Sequence, residues 1–367
     1  MKSSTQVAVI RGDGIGVDVT DATLAVIAIA CKRVGAAEPI YDDIKAGAGY
    51  FAETGRDIEA DGEQRAGAAD AIFLGAIGLP SIRQPDGTEI SPHLRLREFF
   101  SLYAGVRPVK AYPNAPQRLA DPRAAQIDFI VLRESTEGLF YSAAVHDRSP
   151  VVNDDEVQDI LRITRPVTEK LCDYAFQLAR KRKARGKKGQ VTCVDKANVF
   201  RSMAFFRKIF NERKLLNDDI DVAYNYVDAQ ALDLVRQPWD ADVLVMENMF
   251  GDILSDLAGG LVGGMGMAAC AEVDDEHALF QPAHGSAPDI IGQDKANRLA
   301  AILSGGLMLD YLSERSGDEC LSEAATLIEG AVDAGFAANL IRPMEFGGDM
   351  GTVAVTREVI AQVERVA

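Results

Sequence analysis

Short apolar runs alternate along this chain with longer amphipathic stretches, and that alternation constrains the fold more than any other feature. Gln6–Ile10 reads as a strand and is followed by a helical pattern near Val17–Val34. Strands at Ala71–Ala76 and Asp128–Arg133 precede a helix near Asp155–Arg182, and strand Val191–Asp195 leads into a helix near Val199–Arg213. Strands follow at Asp221–Val227 and Asp242–Met246, then a helix near 250, the glycine-rich run Gly259–Gly264 and three helical patterns to the end. Apolar runs of strand length separated by helical periods make an α/β protein. Glycine and proline gather at 78–92 and 281–292, where functional loops are expected.

With 367 residues and 47% apolar content, the chain can bury a large core, as two domains or one elaborate one. A net charge of −16 argues against nucleic acid or an anionic membrane as the main partner. The basic run Arg180–Lys188 follows a helical pattern and reads as a solvated helix end and loop. Five scattered cysteines without a C-x-x-C pair suit a reducing compartment. No apolar run reaches the ~18 residues of a membrane span, and no signal-peptide core opens the chain. The expectation is a soluble cytoplasmic protein.

Phe250-Gly-Asp-Ile-Leu-Ser-Asp-Leu257 follows the strand-like run Ala241–Met246 and sets Asp252 and Asp256 four residues apart. Side chains at that spacing leave a helix from one face, so two carboxylates share one spot and need a cation. Oxygen-only ligands suit Mg²⁺ or Mn²⁺ rather than zinc. On spacing alone the pair also fits an N-terminal helical turn, where the helix dipole favours acids. Arg97 lies in Leu94–Glu98, Arg107 in Val106–Pro108, and Arg133 ends a strand beside Glu134. Three guanidinium groups suit a small polycarboxylate; singly, each also reads as a surface or ion-paired arginine. Lys196 and Asp228 end two further strands. The turn Arg11-Gly-Asp-Gly-Ile-Gly16 lacks the glycine spacing of the dinucleotide fingerprint and reads as a tight strand-to-helix turn.

Taken in order, Gly12–Gly16, Arg97, Arg107, Arg133, Lys196, Asp228, Gly251–Asp256 and His284-Gly-Ser-Ala-Pro-Asp289 make the chain resemble the β-decarboxylating dehydrogenases. That family contains the isocitrate, 3-isopropylmalate, homoisocitrate, tartrate and D-malate dehydrogenases, and the resemblance covers essentially the whole chain. It implies a two-domain α/β fold of the isocitrate/isopropylmalate dehydrogenase kind, distinct from a Rossmann domain. Residues 1–102 and 263–367 would form a discontinuous cofactor-binding domain, and 103–262 the substrate, metal and dimerisation domain. The resemblance further implies a homodimer with shared active sites. Asp252 and Asp256 would bind Mg²⁺ or Mn²⁺ with Asp228 supplied by the other subunit, and Lys196 would act across the same interface as general base. Arg97, Arg107 and Arg133 would hold the departing carboxylate of a 2-hydroxy acid oxidised at C2. The loop Pro282–Gly292 would contact the cofactor through His284, Gly285, Ser286, Ala287, Asp289 and Ile290, with Asn297 facing the adenine. NADP-using relatives carry a Lys-Tyr pair where Asp289-Ile290 stands; a carboxylate at 289 can accept both ribose hydroxyls and repels a 2′-phosphate, so NAD is expected.

The chain departs from the family at one position of consequence. Members usually continue the strand of Arg133 as R-E-x-T-x-G-x-Y, the tyrosine returning a proton to C3, whereas this chain reads Arg133-Glu-Ser-Thr-Glu-Gly-Leu-Phe-Tyr141. Phe140 has no proton to give. Tyr141 through a local bulge, water or another residue must act instead, or the reaction ends differently. The C3-substituent stretch is also mixed. Leu94 and Val199, beside Asn198, keep the apolar character of isopropylmalate enzymes, while Ser91 and His93 imitate the polar groups of isocitrate enzymes. The expected function is NAD-dependent oxidation and decarboxylation of a 3-substituted malate, first 3-isopropylmalate. The alternatives are isocitrate, tartrate or D-malate as substrate, or a non-catalytic regulatory subunit, against which intact Lys196, Asp228, Asp252 and Asp256 argue.

Overall fold

A computed structural model describes residues 5–85, 87–144 and 150–365. Its strands are β1 (Gln6–Gly12), β2 (Ile40–Asp43), β3 (Ala71–Ala76), β4 (Ala104–Lys110), β5 (Asp128–Glu134), β6 (Val151–Val152), β7 (Val157–Gln158), β8 (Gln190–Asp195), β9 (Asp221–Tyr226), β10 (Val243–Met246), β11 (Ala269–Val273) and β12 (Ala278–Pro282). The helices are α1 (Gly16–Val34), α2 (Ala48–Thr54), α3 (Gly62–Ala68), α4 (Pro92–Phe99), α5 (Phe140–Ala144), α6 (Arg165–Ala184), α7 (Arg201–Lys214), α8 (Val227–Arg236), α9 (Asn248–Leu261), α10 (Leu299–Ser316), α11 (Glu319–Ala337) and α12 (Thr352–Arg365).

Ten strands form one sheet in the order β2-β1-β3-β12-β11-β4-β5-β10-β8-β9, and β6 pairs with β7 apart from it. The outer strands pair in parallel. At the centre β12–β11, β11–β4 and β4–β5 pair antiparallel.

Alternate residues of each strand feed different cores, as the pleat requires. Val7 and Val9, Ile130 and Leu132, and Val243 and Val245 pack with α1, α6, α7, α10, α11 and α12. On the opposite face, Phe129, Val131, Leu244 and Met246 pack with α8 and α9 at one end, while Ala8, Ile10, Ile72 and Leu74 pack with α3 and α4 at the other. Burial on both faces explains why these strands read as continuous apolar runs. Truncating a side chain such as Phe129, 0% exposed, to alanine typically costs about 3–5 kcal/mol. The middle of this second face, over β11, β4 and β5, lies between the two apolar clusters and carries charged side chains instead.

Several boundaries differ from expectation. The helix expected from Asp155 begins only at Arg165, because Pro166 sits in its first turn and Thr164 before it is extended; within the expected span Val157–Gln158 instead form β7. Gly259–Leu261 belong to the end of α9, and Asp228 lies in the first turn of α8 rather than at a strand end. The basic run is not simply solvated. Arg182 has a 12% exposed side chain and bridges Asp128 and Asp242, while Lys181 pairs with Glu314 and Arg185 with Asp310. No helix among the described residues is long and apolar enough to cross a membrane.

Candidate active site

The three arginines meet on the central face of the sheet. Gly105 of β4 is flanked in register by Arg133 of β5 and Glu272 of β11, and Arg107 lies two residues further along the same face. A Cβ at position 105 would stand 2.7 Å from Ser135 Oγ and 2.9 Å from Glu272 Oε2, so the glycine lets these two side chains close in over the middle of the charged patch. Arg97 reaches in from α4. All three arginines are buried, as is Glu272 at 0% exposure. Glu272 Oε1 lies 2.9 Å from Arg97 Nη2 in an ion pair and accepts from Arg107 Nη2 at 3.5 Å. Burial alone would raise the Glu272 carboxyl, but Arg97, Arg107 and Arg133 together hold it below its ordinary value. Burial, then repulsion from Arg97 and Arg107, draws the Arg133 guanidinium down to about 10. The Nε atoms of Arg97 and Arg107 are buried without a partner.

The metal-type pair is held against this cluster by α9. Glu247 caps the helix, accepting from Phe250 N at 2.8 Å and Met249 N at 3.1 Å. Asn248 accepts from Arg133 Nε at 2.8 Å and donates to the Glu137 carbonyl at 2.9 Å. Asp252 pairs with Arg133 Nη1. Partial burial, opposed by Arg107 and reinforced by Asp252, lifts the Asp256 carboxyl above its ordinary value. Two oxygen-only ligands that repel each other suit a hard divalent cation, and the residues fit one. They are not a full ligand set: no group of three metal-binding side chains gathers among the described residues of one chain. Asp228 stands elsewhere, 2.5 Å from Lys196 Nζ, and this hydrogen bond lowers its carboxyl.

His93 lies beside Arg97 on α4. Its Nδ1 is enclosed without a partner, and desolvation, then Arg97, pushes its imidazole down to about 3, leaving it neutral. Ser91 occupies the cap position of the same helix and Leu94 is half-buried in it. Phe140 lies under the Arg133 guanidinium at 4.9 Å, whereas the Tyr141 ring lies 4.6 Å from that of Arg162. Asn198 and Val199 are exposed beyond β8.

The loop after β12 lies against the β1–α1 turn. Ile15 N donates to the Ser286 carbonyl at 2.9 Å, and Ser286 Oγ donates to the Gly78 carbonyl. Ala287 adopts φ +40°. His284 has a buried Nε2 without a partner, and burial lowers its imidazole. Gly285 has open space around it, Asp289 is exposed and Ile290 is half-buried. This open loop with an unpaired buried nitrogen fits a polar cofactor. The Asn297 amide is engaged, donating to Glu345 at 2.9 Å and accepting from Leu299 N at 3.2 Å.

Compared with known proteins, residues 6–363 match the family described as isocitrate/isopropylmalate dehydrogenase. The chain belongs to that family. It is 38% identical over 365 residues to a 3-isopropylmalate/3-methylmalate dehydrogenase of Methanocaldococcus jannaschii, covering 98% of each chain. It is 35% identical over 366 residues to a homoisocitrate dehydrogenase of the same organism, again covering 98% of each. The crystal structure of an isocitrate dehydrogenase from Methylococcus capsulatus superposes with a TM-score of 0.83 at 31% identity, over 98% of this chain and 99% of that one. The expected isocitrate/isopropylmalate dehydrogenase fold is therefore the observed one, and the protein is an enzyme of the β-decarboxylating dehydrogenase family. The family uses NAD or NADP, a divalent metal and a small-molecule substrate.

Sequence reasoning about this family member missed Glu272 and the roles of Glu247, Asn248 and Asp13. Glu272 is the single acid in the apolar run Ala269–Val273, a pattern that signals a buried, paired carboxylate. Asp13, which read as part of a turn, ties three segments together by accepting from Ala48 N, Gly49 N and Gly78 N, each at 2.8 Å.

Proposed function

We propose that the protein oxidises and decarboxylates a 3-substituted malate, first 3-isopropylmalate, with NAD⁺ and Mg²⁺ or Mn²⁺, as a homodimer whose active sites draw on both subunits. The observation that carries this reading is the meeting of Arg97, Arg107 and Arg133 beside Asp252 on one sheet face, with buried arginine donors still unpaired. In this reading residues 103–262 carry the substrate, metal and dimer contacts, and 1–102 with 263–367 carry the cofactor. The exposed apolar side chains Val199, Phe200, Leu232 and Ile253, on segments near Lys196, Asp228 and Asp252, support a second subunit covering them.

Asp252 and Asp256 would hold the cation with Asp228 from the second subunit, and the loop Pro282–Gly292 would hold the dinucleotide; when bound, these groups would supply Lewis acidity at the C2 hydroxyl and a hydride acceptor. Lys196 takes the C2 hydroxyl proton, directly or through water. Arg97, Arg107 and Arg133 fix the carboxylate that leaves as CO₂ and keep its neighbouring carbon aligned. Phe140 stacks on Arg133 and offers no proton, and Tyr141 packs on Arg162, so water returns the proton to C3 in this scheme. The exposed Asp289 carboxylate favours NAD⁺ over NADP⁺.

The test follows NADH formation over a panel of 3-substituted malates with Mn²⁺ and either cofactor. Turnover of 3-isopropylmalate with NAD⁺ is expected, together with CO₂. Failure to turn over any malate overturns the proposal, and faster reaction with NADP⁺ overturns the role given to Asp289. Release of undecarboxylated keto acid would overturn the decarboxylation step.

A further inference from the structure

Glu272 is the carboxylate of the cluster that takes no part in the cation-binding pair Asp252 and Asp256, and its negative charge repels an incoming carboxylate. It points from β11 onto the arginine face, away from the side to which Ala271 and Val273 belong. Its Oε1 lies 2.9 Å from Nη2 of Arg97 and 3.5 Å from Nη2 of Arg107, so one of three guanidinium charges is cancelled from within before any substrate arrives. Each of these two arginines also keeps a buried Nε–H without a partner, a donor that suits a carboxylate oxygen. Glu272 Oε2 fills the space beside Gly105, where a Cβ would approach it to 2.9 Å, and is itself buried without a hydrogen-bond partner. His93, the neighbouring polar group on α4, has an enclosed nitrogen without a partner. Being neutral, it supplies hydrogen bonding but no balancing charge.

We propose that Glu272 determines specificity by charge: the site accepts malates whose C3 substituent is uncharged and discriminates against those that carry a third carboxylate there. The inference rests on the reading of the site as one for 3-substituted malates. A third carboxylate would enter a water-poor space where one arginine charge is already spent and a fixed carboxylate stands close by. Glu272 acts through Arg97 and Arg107 and is a positioning residue.

The test compares kcat and KM for 3-methylmalate, 3-isopropylmalate and isocitrate, with NAD⁺ and Mn²⁺, in the wild type and in Glu272→Gln and Glu272→Asp. The wild type should favour an alkylmalate over isocitrate by ~10-fold or more in kcat/KM, as expected for one uncompensated charge in a partly buried site. Glu272→Gln should raise the isocitrate-to-alkylmalate ratio by ~10-fold or more, chiefly through a lower KM for isocitrate. Glu272→Asp should keep the wild-type preference. Equal loss of kcat/KM on every substrate in Glu272→Gln would mark a merely structural role and overturn the proposal. Preference of the wild type for isocitrate also overturns it, even if the variants do not fold, while leaving the malate reading in place. Absence of turnover on all three substrates overturns both.

Discussion

At position 251 the structure has room for a hydrogen atom and nothing larger: a Cβ would lie 2.6 Å from Arg133 Cβ. Gly251→Ala should push α9 away from β5 and part Asp252 from Arg133. We expect a loss of about 1–3 kcal/mol in denaturant unfolding and a fall of roughly tenfold or more in kcat/KM from the displaced carboxylates. Glu134 gives a pH-dependent case. It is buried while accepting from Thr136 N and Glu137 N at 2.7 Å, and burial, only partly offset by these donors, raises its carboxyl to about 7. Because the folded-state value lies above the ordinary 4.5, the stability it contributes is full below pH 4.5 and is lost as pH rises through about 7. Glu134→Gln should flatten that loss, seen as a smaller difference between denaturant midpoints at the two ends of this window.

Among the elements, the β1–α1 turn and the loop after β12 act as one unit. Gly14 has φ +59°, and a Cβ there would stand 2.2 Å from the Ser286 carbonyl oxygen. Gly14→Ala should therefore displace the loop, raising KM for NAD⁺ several-fold with a smaller effect on KM for the malate, as steady-state titration of each would show. The helices α1 and α10–α12 and the strands β1, β3, β5, β8 and β10 were legible because each has a clean apolar period. β4, β11 and β12 were not. Pro108 stands inside β4, where a proline usually argues against a paired strand, and Arg107 and Glu272 interrupt its apolar run and that of β11. The same charges that hid these strands build the site. Arg97, Arg107, Arg133 and the Asp252/Asp256 pair could be picked out by residue type and spacing. Glu272 could be marked only as a buried acid in an apolar run, and its partners could not be named, since they depend on the β11–β4 register, which joins residues far apart in the chain.

For the whole molecule, the separation of Lys196 and Asp228 from Asp252 and Asp256 makes a distinctive prediction. Lys196→Met and Asp252→Asn should each be inactive alone. If sites are shared, unfolding and refolding the two variants together restores one intact site per heterodimer, and random pairing gives about a quarter of wild-type activity. No recovery in a mixture shown to contain heterodimers would place Lys196 and Asp252 in the same subunit's site. The antiparallel strands β11 and β4 bear on how such a site works over a catalytic cycle. They join β1–β3 and β12 to β5 and β8–β10 through unbroken ladders, so the molecule has no slack tether at its waist. Any widening of the space between the arginines and the Asp252/Asp256 pair has to be absorbed as twist spread along those ladders, in the manner of a torsion bar rather than a door on a pin. Release of product then becomes a question of sheet elasticity, and residues far from the reacting atoms, at the ends of β4 and β11, share in setting its rate.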